Sequence, residues 1–260
     1  MRRQGANVEI LADVDAVARR AVELFAVHCE GAISDRGVFR AAVSGGRTGG
    51  KFLQLLGCSA TGAALAWERT QLFWVDERWV PHDAPESNYR LAAEGLLRYV
   101  AVPRRNVHPI ATDADTPEVA AAQYEEVLRR EFGVTPGQTP RFDLILLGMG
   151  ADGHTGSIFP GDVQSLHGGA WVRAVPEAVG FRRITLTGPV LQAGRSIVVM
   201  APGIQKAAIL ARVLDGPVGE RRYPVHLLWP VLERVIWLVD REAAGALRPS
   251  GQDHGNLLKE

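Results

Sequence analysis

The stretch DLILLGMGADGHTGSIFPG, Asp143 to Gly161, sets an acid and an imidazole, Asp152 and His154, in a glycine-rich turn directly after an apolar run. Histidine is the side chain best suited to moving protons near neutral pH, and a nearby carboxylate can hold its orientation and tautomer. Two residues of separation neither guarantee nor forbid a direct bond between them. Standing alone, the pair reads as a capping aspartate and a surface histidine in a turn. The same stretch spells G-x-G-x-x-G at Gly148, Gly150 and Gly153. A dinucleotide site needs a helix right after those glycines and an acid about 20 residues on. Pro160 and Gly161 interrupt the helix, and Arg173 stands where the acid would be. We therefore expect no nicotinamide or flavin cofactor, and expect the glycines, Gly150 and Gly153 among them, to let backbone approach a substrate closely.

Four more segments offer anion chemistry. In SGGRT, Ser44, Gly45, Gly46, Arg47 and Thr48 bring glycines and hydroxyls to a strand-to-helix turn, whose N–H groups suit an anion. It lacks a Walker lysine, so a nucleoside triphosphate is not implied. VDERWVPHDAPESN places Asp76, Glu77 and Arg78 at a strand end, and Arg78 can grip phosphate with two donors. RRITLT and APGIQK add Arg183 and Lys206. Lys206 falls in the first turn of its helix, where the dipole disfavours a cation unless an anion is near. Any one of these cations, alone, is as well explained by solvent.

The elements that must carry these segments alternate along the chain. Val8–Leu11, Val38–Ser44, Leu72–Arg78, DLILLG, RRITLT, SIVVMAPG and RVIWLVD read as strands. Between them, helices are expected at 14–32 behind an Asp13 cap, at KFLQLL, at SNYRLAAEGLLRYV, at TPEVAAAQYEEVLRREF with Thr116 as cap and Pro117 first, at GIQKAAILARVL and at REAAGAL. This is an α/β pattern, with a mainly parallel sheet and helices on both faces. Such sheets bind ligands at the carboxyl ends of their strands. The polar segments end four of the strands, so one shared site is expected. TPGQTP reads as a surface loop rather than a linker, and residues 1–260 as a single domain.

Composition narrows the partners. Lys+Arg and Asp+Glu are 29 each, which gives no overall charge to draw nucleic acid or an anionic membrane. No membrane span or signal peptide is read, and a cytoplasmic protein is expected. Cys29 and Cys58 stand in no metal or redox motif, so free thiols and no metal are expected.

Taken together and in order, SGGRT, VDERWVPHDAPESN, LLGMGADGHTGSIFPG, RRITLT and APGIQK resemble the 6-phosphogluconolactonase family over nearly the whole chain. The resemblance implies a Rossmann-like α/β fold without cofactor or metal. It also implies hydrolysis of 6-phosphoglucono-δ-lactone to 6-phosphogluconate in the pentose phosphate pathway. On that reading His154 is the general base, assisted by Asp152. Ser44–Thr48, Asp76, Gly150, Gly153, Arg183 and Lys206 hold substrate and phosphate. Arg78 or a backbone N–H faces the developing oxyanion. The partner is then a sugar-phosphate lactone, with a monomer favoured. Gly156 stands where the family commonly has Ala, Ile158 where it has Leu, and Gly49 where it often has Pro. The related glucosamine-6-phosphate deaminases carry a Glu five residues after the His, where this chain has Phe159. A non-catalytic sugar-phosphate sensor on the same fold is the other alternative.

Overall fold

A computed structural model describes residues 6–135, 137–216 and 223–248. Ten strands are present among them: β1 (Asn7–Leu11), β2 (Phe39–Val43), β3 (Thr70–Trp74), β4 (Asp76–Arg78), β5 (Val107–His108), β6 (Leu144–Gly148), β7 (Val172–Ala178), β8 (Phe181–Leu186), β9 (Ile197–Met200) and β10 (Val235–Asp240). Seven form one parallel sheet in the order β1-β10-β9-β6-β2-β3-β5. The central strands are apolar without alternation, as a strand covered on both faces must be. All four residues of β9, and the first four of β6, are buried.

Helices surround this sheet, with ends set by the residues expected to set them. Asp13 accepts from Ala16 N at 2.7 Å and starts helix Val14–Arg36, which Gly37 ends at φ 76°. That helix runs a turn beyond the expected 14–32. Thr116 caps Pro117–Phe132 through Val119 N at 3.2 Å, and Gly133 ends it at φ 59°. These are the Ser/Thr/Asp start and left-handed glycine stop of ordinary helices.

Three expectations need correction. The run Leu72–Arg78 is two strands, not one. β3 belongs to the parallel sheet, while β4 joins an antiparallel sheet in the order β4-β8-β7. Val75 is the joint: it donates to Val43 O at 2.9 Å on one side and accepts from Leu186 N at 2.7 Å on the other. RRITLT accordingly lies in the antiparallel sheet. Val172–Ala178, not expected as a strand, forms the edge of that sheet. Pro176 falls inside its register shift between Val175 and Ala178, where a missing N–H is tolerated. The helix expected at KFLQLL begins earlier, at Gly46, inside the SGGRT turn.

Among the described residues, no helix is long and apolar enough to cross a membrane. None of them form a cluster of three or more His, Cys, Asp or Glu side chains fit for a metal.

Candidate active site

A cavity of about 540 Å³ opens at the carboxyl ends of the parallel strands. Ser44–Thr48 follow β2, Gly148 ends β6 and Met149–Ala151 and His154 follow it, Pro202, Gly203, Gln205 and Lys206 follow β9, and Glu242 follows β10. The antiparallel sheet supplies Asp76, Arg78 and Arg183. The segments singled out in the sequence therefore meet in one place.

The anion turn comes from β2. Gly46 takes φ 74°, which a side chain would resist. Helix Gly46–Cys58 follows at once and no side chain caps it. Its first N–H groups are left for water or an anion, aided by the dipole. Ser44 Oγ is buried without a hydrogen-bond partner among the described residues. Gly49, where the family pattern often has Pro, lies in this first turn. A Cβ there would stand 2.2 Å from Ser44 O, so glycine is what lets the helix close on the turn.

Asp152 and His154 sit on the loop after β6. His154 Nδ1 lies 2.6 Å from Asp152 Oδ1, and the His154 backbone N–H donates to the same oxygen at 3.2 Å. The loop is tied by Gly150 N to His154 O at 2.8 Å and Gly153 N to Gly150 O at 3.1 Å. Burial pushes the Asp152 carboxyl up. The backbone N–H and the ring of His154 outweigh it and hold the acid below the usual carboxylate range. Gly150 is required here, since a Cβ would stand 2.1 Å from His154 Nδ1 and 2.6 Å from Asp152 Oδ1. Gly153 differs from expectation. It does not line the cavity, but turns at φ 80° against Tyr223. Asp152 likewise stands behind His154, outside the cavity wall.

Cations dominate the wall: Arg47, Lys51, Arg78, Arg183 and Lys206 against the acids Asp76 and Glu242. Burial, then repulsion from Arg78, lowers the pKa of Arg183. Burial, then Arg47, lowers that of Lys206. Asp76 and Glu77 beside Arg183, and Asp152 beside Lys206, offset these shifts only in part. Lys206 lies in a 3-10 turn, Ile204–Lys206, just ahead of helix Ala207–Leu214. That turn is pinned by Gly203, whose N–H lies 2.9 Å from each oxygen of buried Asp240 and whose carbonyl accepts from Lys206 N at 2.9 Å. Arg183 donates Nε to Ala178 O at 3.3 Å and lies over the rings of Phe159, at 5.5 Å, and Phe181, at 6.0 Å. Phe159 also meets the His154 ring, centroids 4.7 Å apart. Arg78 donates to Glu86 O at 2.6 Å, while its Nε is buried without a partner among the described residues.

Sequence reasoning passed over several supports. Ser157 donates to Asp76 Oδ2 at 2.7 Å, both residues buried, and so joins the base loop to β4. Glu77, 1% exposed, accepts from Arg78 N and Asn88 N on one oxygen, and from Ser87 Oγ and Tyr89 N on the other. Burial raises its pKa, and those donors offset part of the rise. Asn88, Lys51, Gln205 and Glu242 also line the cavity. The SN of VDERWVPHDAPESN was visible as part of a motif, but its spacing gave no hint of what it touches.

An extended basic wall facing an imidazole–carboxylate pair can hold a phosphorylated substrate and move a proton beside it. Known proteins of similar shape and sequence point the same way. A match to the family described as glucosamine-6-phosphate isomerases/6-phosphogluconolactonase covers residues 12–237. A 6-phosphogluconolactonase of Synechocystis is 37% identical over 243 residues, 94% of this chain and 99% of that protein. One of Mycobacterium tuberculosis is 35% identical over 251 residues, 93% of this chain and 98% of that protein. The solved 6-phosphogluconolactonase of Trypanosoma cruzi superposes with a TM-score of 0.82 at 25% identity, covering 94% of this chain and 97% of that one.

Proposed function

Since the chain belongs to the glucosamine-6-phosphate isomerase/6-phosphogluconolactonase family, we propose that it hydrolyses 6-phosphoglucono-δ-lactone to 6-phosphogluconate, with His154 as general base. The enzyme is a lactone hydrolase of the kind its relatives are named for. One observation carries the assignment of roles: His154, bonded to Asp152 behind it, lines the same cavity as Arg47, Arg78, Arg183 and Lys206.

Asp152 accepts from His154 Nδ1–H, which leaves the lone pair on Nε2. Nε2 takes a proton from water as the oxygen attacks the lactone carbonyl. The imidazolium that forms is stabilised by Asp152. The tetrahedral oxyanion needs a donor. Gly150 N and Gly153 N are already bonded within the turn, so Arg78, with Nε unpartnered, serves better than they do. As the carbonyl re-forms, the ring C–O bond breaks and His154 returns its proton to the departing ring oxygen. Water has then added across the ester, with no net proton change at the enzyme. General base catalysis of this kind supplies about 10²–10⁴ in rate. The phosphate, remote from the carbonyl, binds the Ser44–Thr48 turn with Arg183 and Lys206. Its binding energy holds the lactone for attack.

At the position where the deaminases carry Glu, Phe159 places a ring between His154 and Arg183. It supplies no ring-opening acid. The test is turnover of freshly made lactone, coupled to 6-phosphogluconate dehydrogenase and corrected for spontaneous opening. A rate proportional to protein and lost in His154→Ala is expected. No rate above background, with tight 6-phosphogluconate binding, would assign a sensor instead.

A further inference from the structure

Asn88 lies in the cavity wall at 2% exposure, and the chemistry above gives it no task. Its contacts suggest one. Its backbone N–H donates to Glu77 Oε1 at 2.7 Å, and its side-chain Nδ2 donates to Asp76 O at 2.8 Å. A carbonyl only accepts, so the second bond fixes which way the amide points. Oδ1 then turns to Gly45. A Cβ built on Gly45 would stand 1.8 Å from Oδ1, 2.3 Å from Cγ and 3.0 Å from Cβ, so its three nearest atoms all belong to Asn88. The φ of Gly45 is −85°, outside the left-handed region, so it is this neighbour that bars a side chain there. Oδ1 is also buried without a hydrogen-bond partner among the described residues, a deficit that plain packing does not call for.

We propose that Asn88 is a positioning residue, clamping Gly45 and hence the anion turn against the strand that carries Asp76 and Arg78. The proposal rests on the lactonase reading given above. The turn follows β2 in the parallel sheet, while Arg78 lies on β4 in the antiparallel one. Between those strands the chain passes through Val75, whose backbone bonds join the two sheets. Asn88 adds a side-chain brace on the cavity side of that joint. It keeps the turn that binds phosphate and the arginine that faces the carbonyl at a fixed separation across one substrate.

The test measures KM and kcat for the lactone, calorimetric affinity for 6-phosphogluconate and for inorganic phosphate, and Tm. The proteins are wild type, Asn88→Ala, Asn88→Asp, Gly45→Ala and the double variant Gly45→Ala/Asn88→Gly. Asn88→Ala should raise KM and the 6-phosphogluconate Kd about tenfold while kcat stays within about threefold. Asn88→Asp keeps the shape, cannot donate to Asp76 O and brings a negative charge, so it should bind more weakly than Asn88→Ala. Gly45→Ala should lose binding, and the double variant, with the obstructing atoms gone, should recover much of it. Should Asn88→Ala not fold, Asn88→Ser, too short to reach Gly45, gives the same reading. Wild-type affinity in Asn88→Ala and Asn88→Asp, or a double variant no better than Gly45→Ala, overturns the brace. A wild-type enzyme that neither turns over lactone nor binds 6-phosphogluconate overturns the functional reading itself, and the brace's role with it.

Discussion

Replacing Gly150 by Ala puts one methyl group where the acid–base pair now closes. The new Cβ would stand 2.1 Å from His154 Nδ1, 2.3 Å from its Cε1 and 2.6 Å from Asp152 Oδ1, against ordinary contacts of 3.4 Å or more. The imidazole must therefore retreat by about 1 Å, enough to cost about a hundredfold in rate. At 1.36 kcal/mol per decade that is about 2.7 kcal/mol of barrier. The fold need not suffer, because the two side chains are 32% and 48% exposed and can swing outward. The stability loss should be about 1 kcal/mol or less, below the range for a rigid overpacked core. The assay pairs coupled lactone hydrolysis with thermal melting and calorimetric binding of 6-phosphogluconate. Turnover should fall while Tm and product affinity hold. Turnover within twofold of wild type would show that the ring's seat against Asp152 does not matter to the reaction. Gly153→Ala is the contrasting control. There φ is 80° and the obstacle is Tyr223 Cβ at 2.8 Å, close to backbone and unable to swing, so about 1–3 kcal/mol of stability should be lost instead.

Three other outcomes are expected. Burial and Arg47 hold the Lys206 pKa below its usual range, and a bound phosphate dianion raises it, so 6-phosphogluconate should bind with proton uptake below the usual lysine range and more tightly as pH falls through the pH at which Lys206 takes up its proton; calorimetry in buffers of different ionisation heat measures this, and an equal uptake in Lys206→Ala would refute the assignment. Val179 and Gly180, both at positive φ, form the two-residue turn between β7 and β8, and Val179 is 76% exposed. Val179→Asn creates the favoured Asn-Gly pair and should add about 1 kcal/mol, or about 2–4 °C in Tm; an unchanged or lower Tm would show that the turn carries no strain. In Glu77→Gln an amide NH₂ must face one of the donor pairs that now meet carboxylate oxygens, so melting should reveal about 1–3 kcal/mol lost; wild-type stability would mean those donors find other partners.

The alternation of elements was legible because its signals are local. Thr116-Pro117 and Asp13 start helices wherever they stand before a helical pattern, and LILL and IVVM can only be buried strands. That Ser44–Thr48 and the Asp152–His154 loop would meet at one cavity was legible because glycine, histidine and aspartate cluster at strand ends. What remained hidden depends on distant partners. Nothing in LFWVDER announces a change of sheet at Val75, since the joint consists of backbone bonds to Val43 and Leu186. Pro176 disfavours a strand, and β7 accommodates it because it is an edge strand with a register shift. Gly153 belongs to the same G-x-G-x-x-G as Gly150, yet one glycine makes room for Tyr223 and the other for Asp152 and His154. Ser157 meets Asp76 across 81 positions, a contact no short-range pattern records.

The order of strands in the parallel sheet sets an order of assembly during synthesis. β1, made first, pairs with β10, Asn7 opposite Ile236 through Leu11 opposite Asp240. At about 5–20 residues per second, β1 leaves the ribosome roughly ten to forty-five seconds ahead of its partner. The inner strands β9, β6, β2, β3 and β5 are contiguous without either of them. A growing chain can therefore lay down the anion turn and the histidine loop on that inner sheet while Gly203 still lacks Asp240, and the Lys206 turn lacks its pin. The strand that completes this part of the sheet also supplies the Asp240 that pins Gly203, so in a growing chain the Lys206 turn is settled only after β10 has been made.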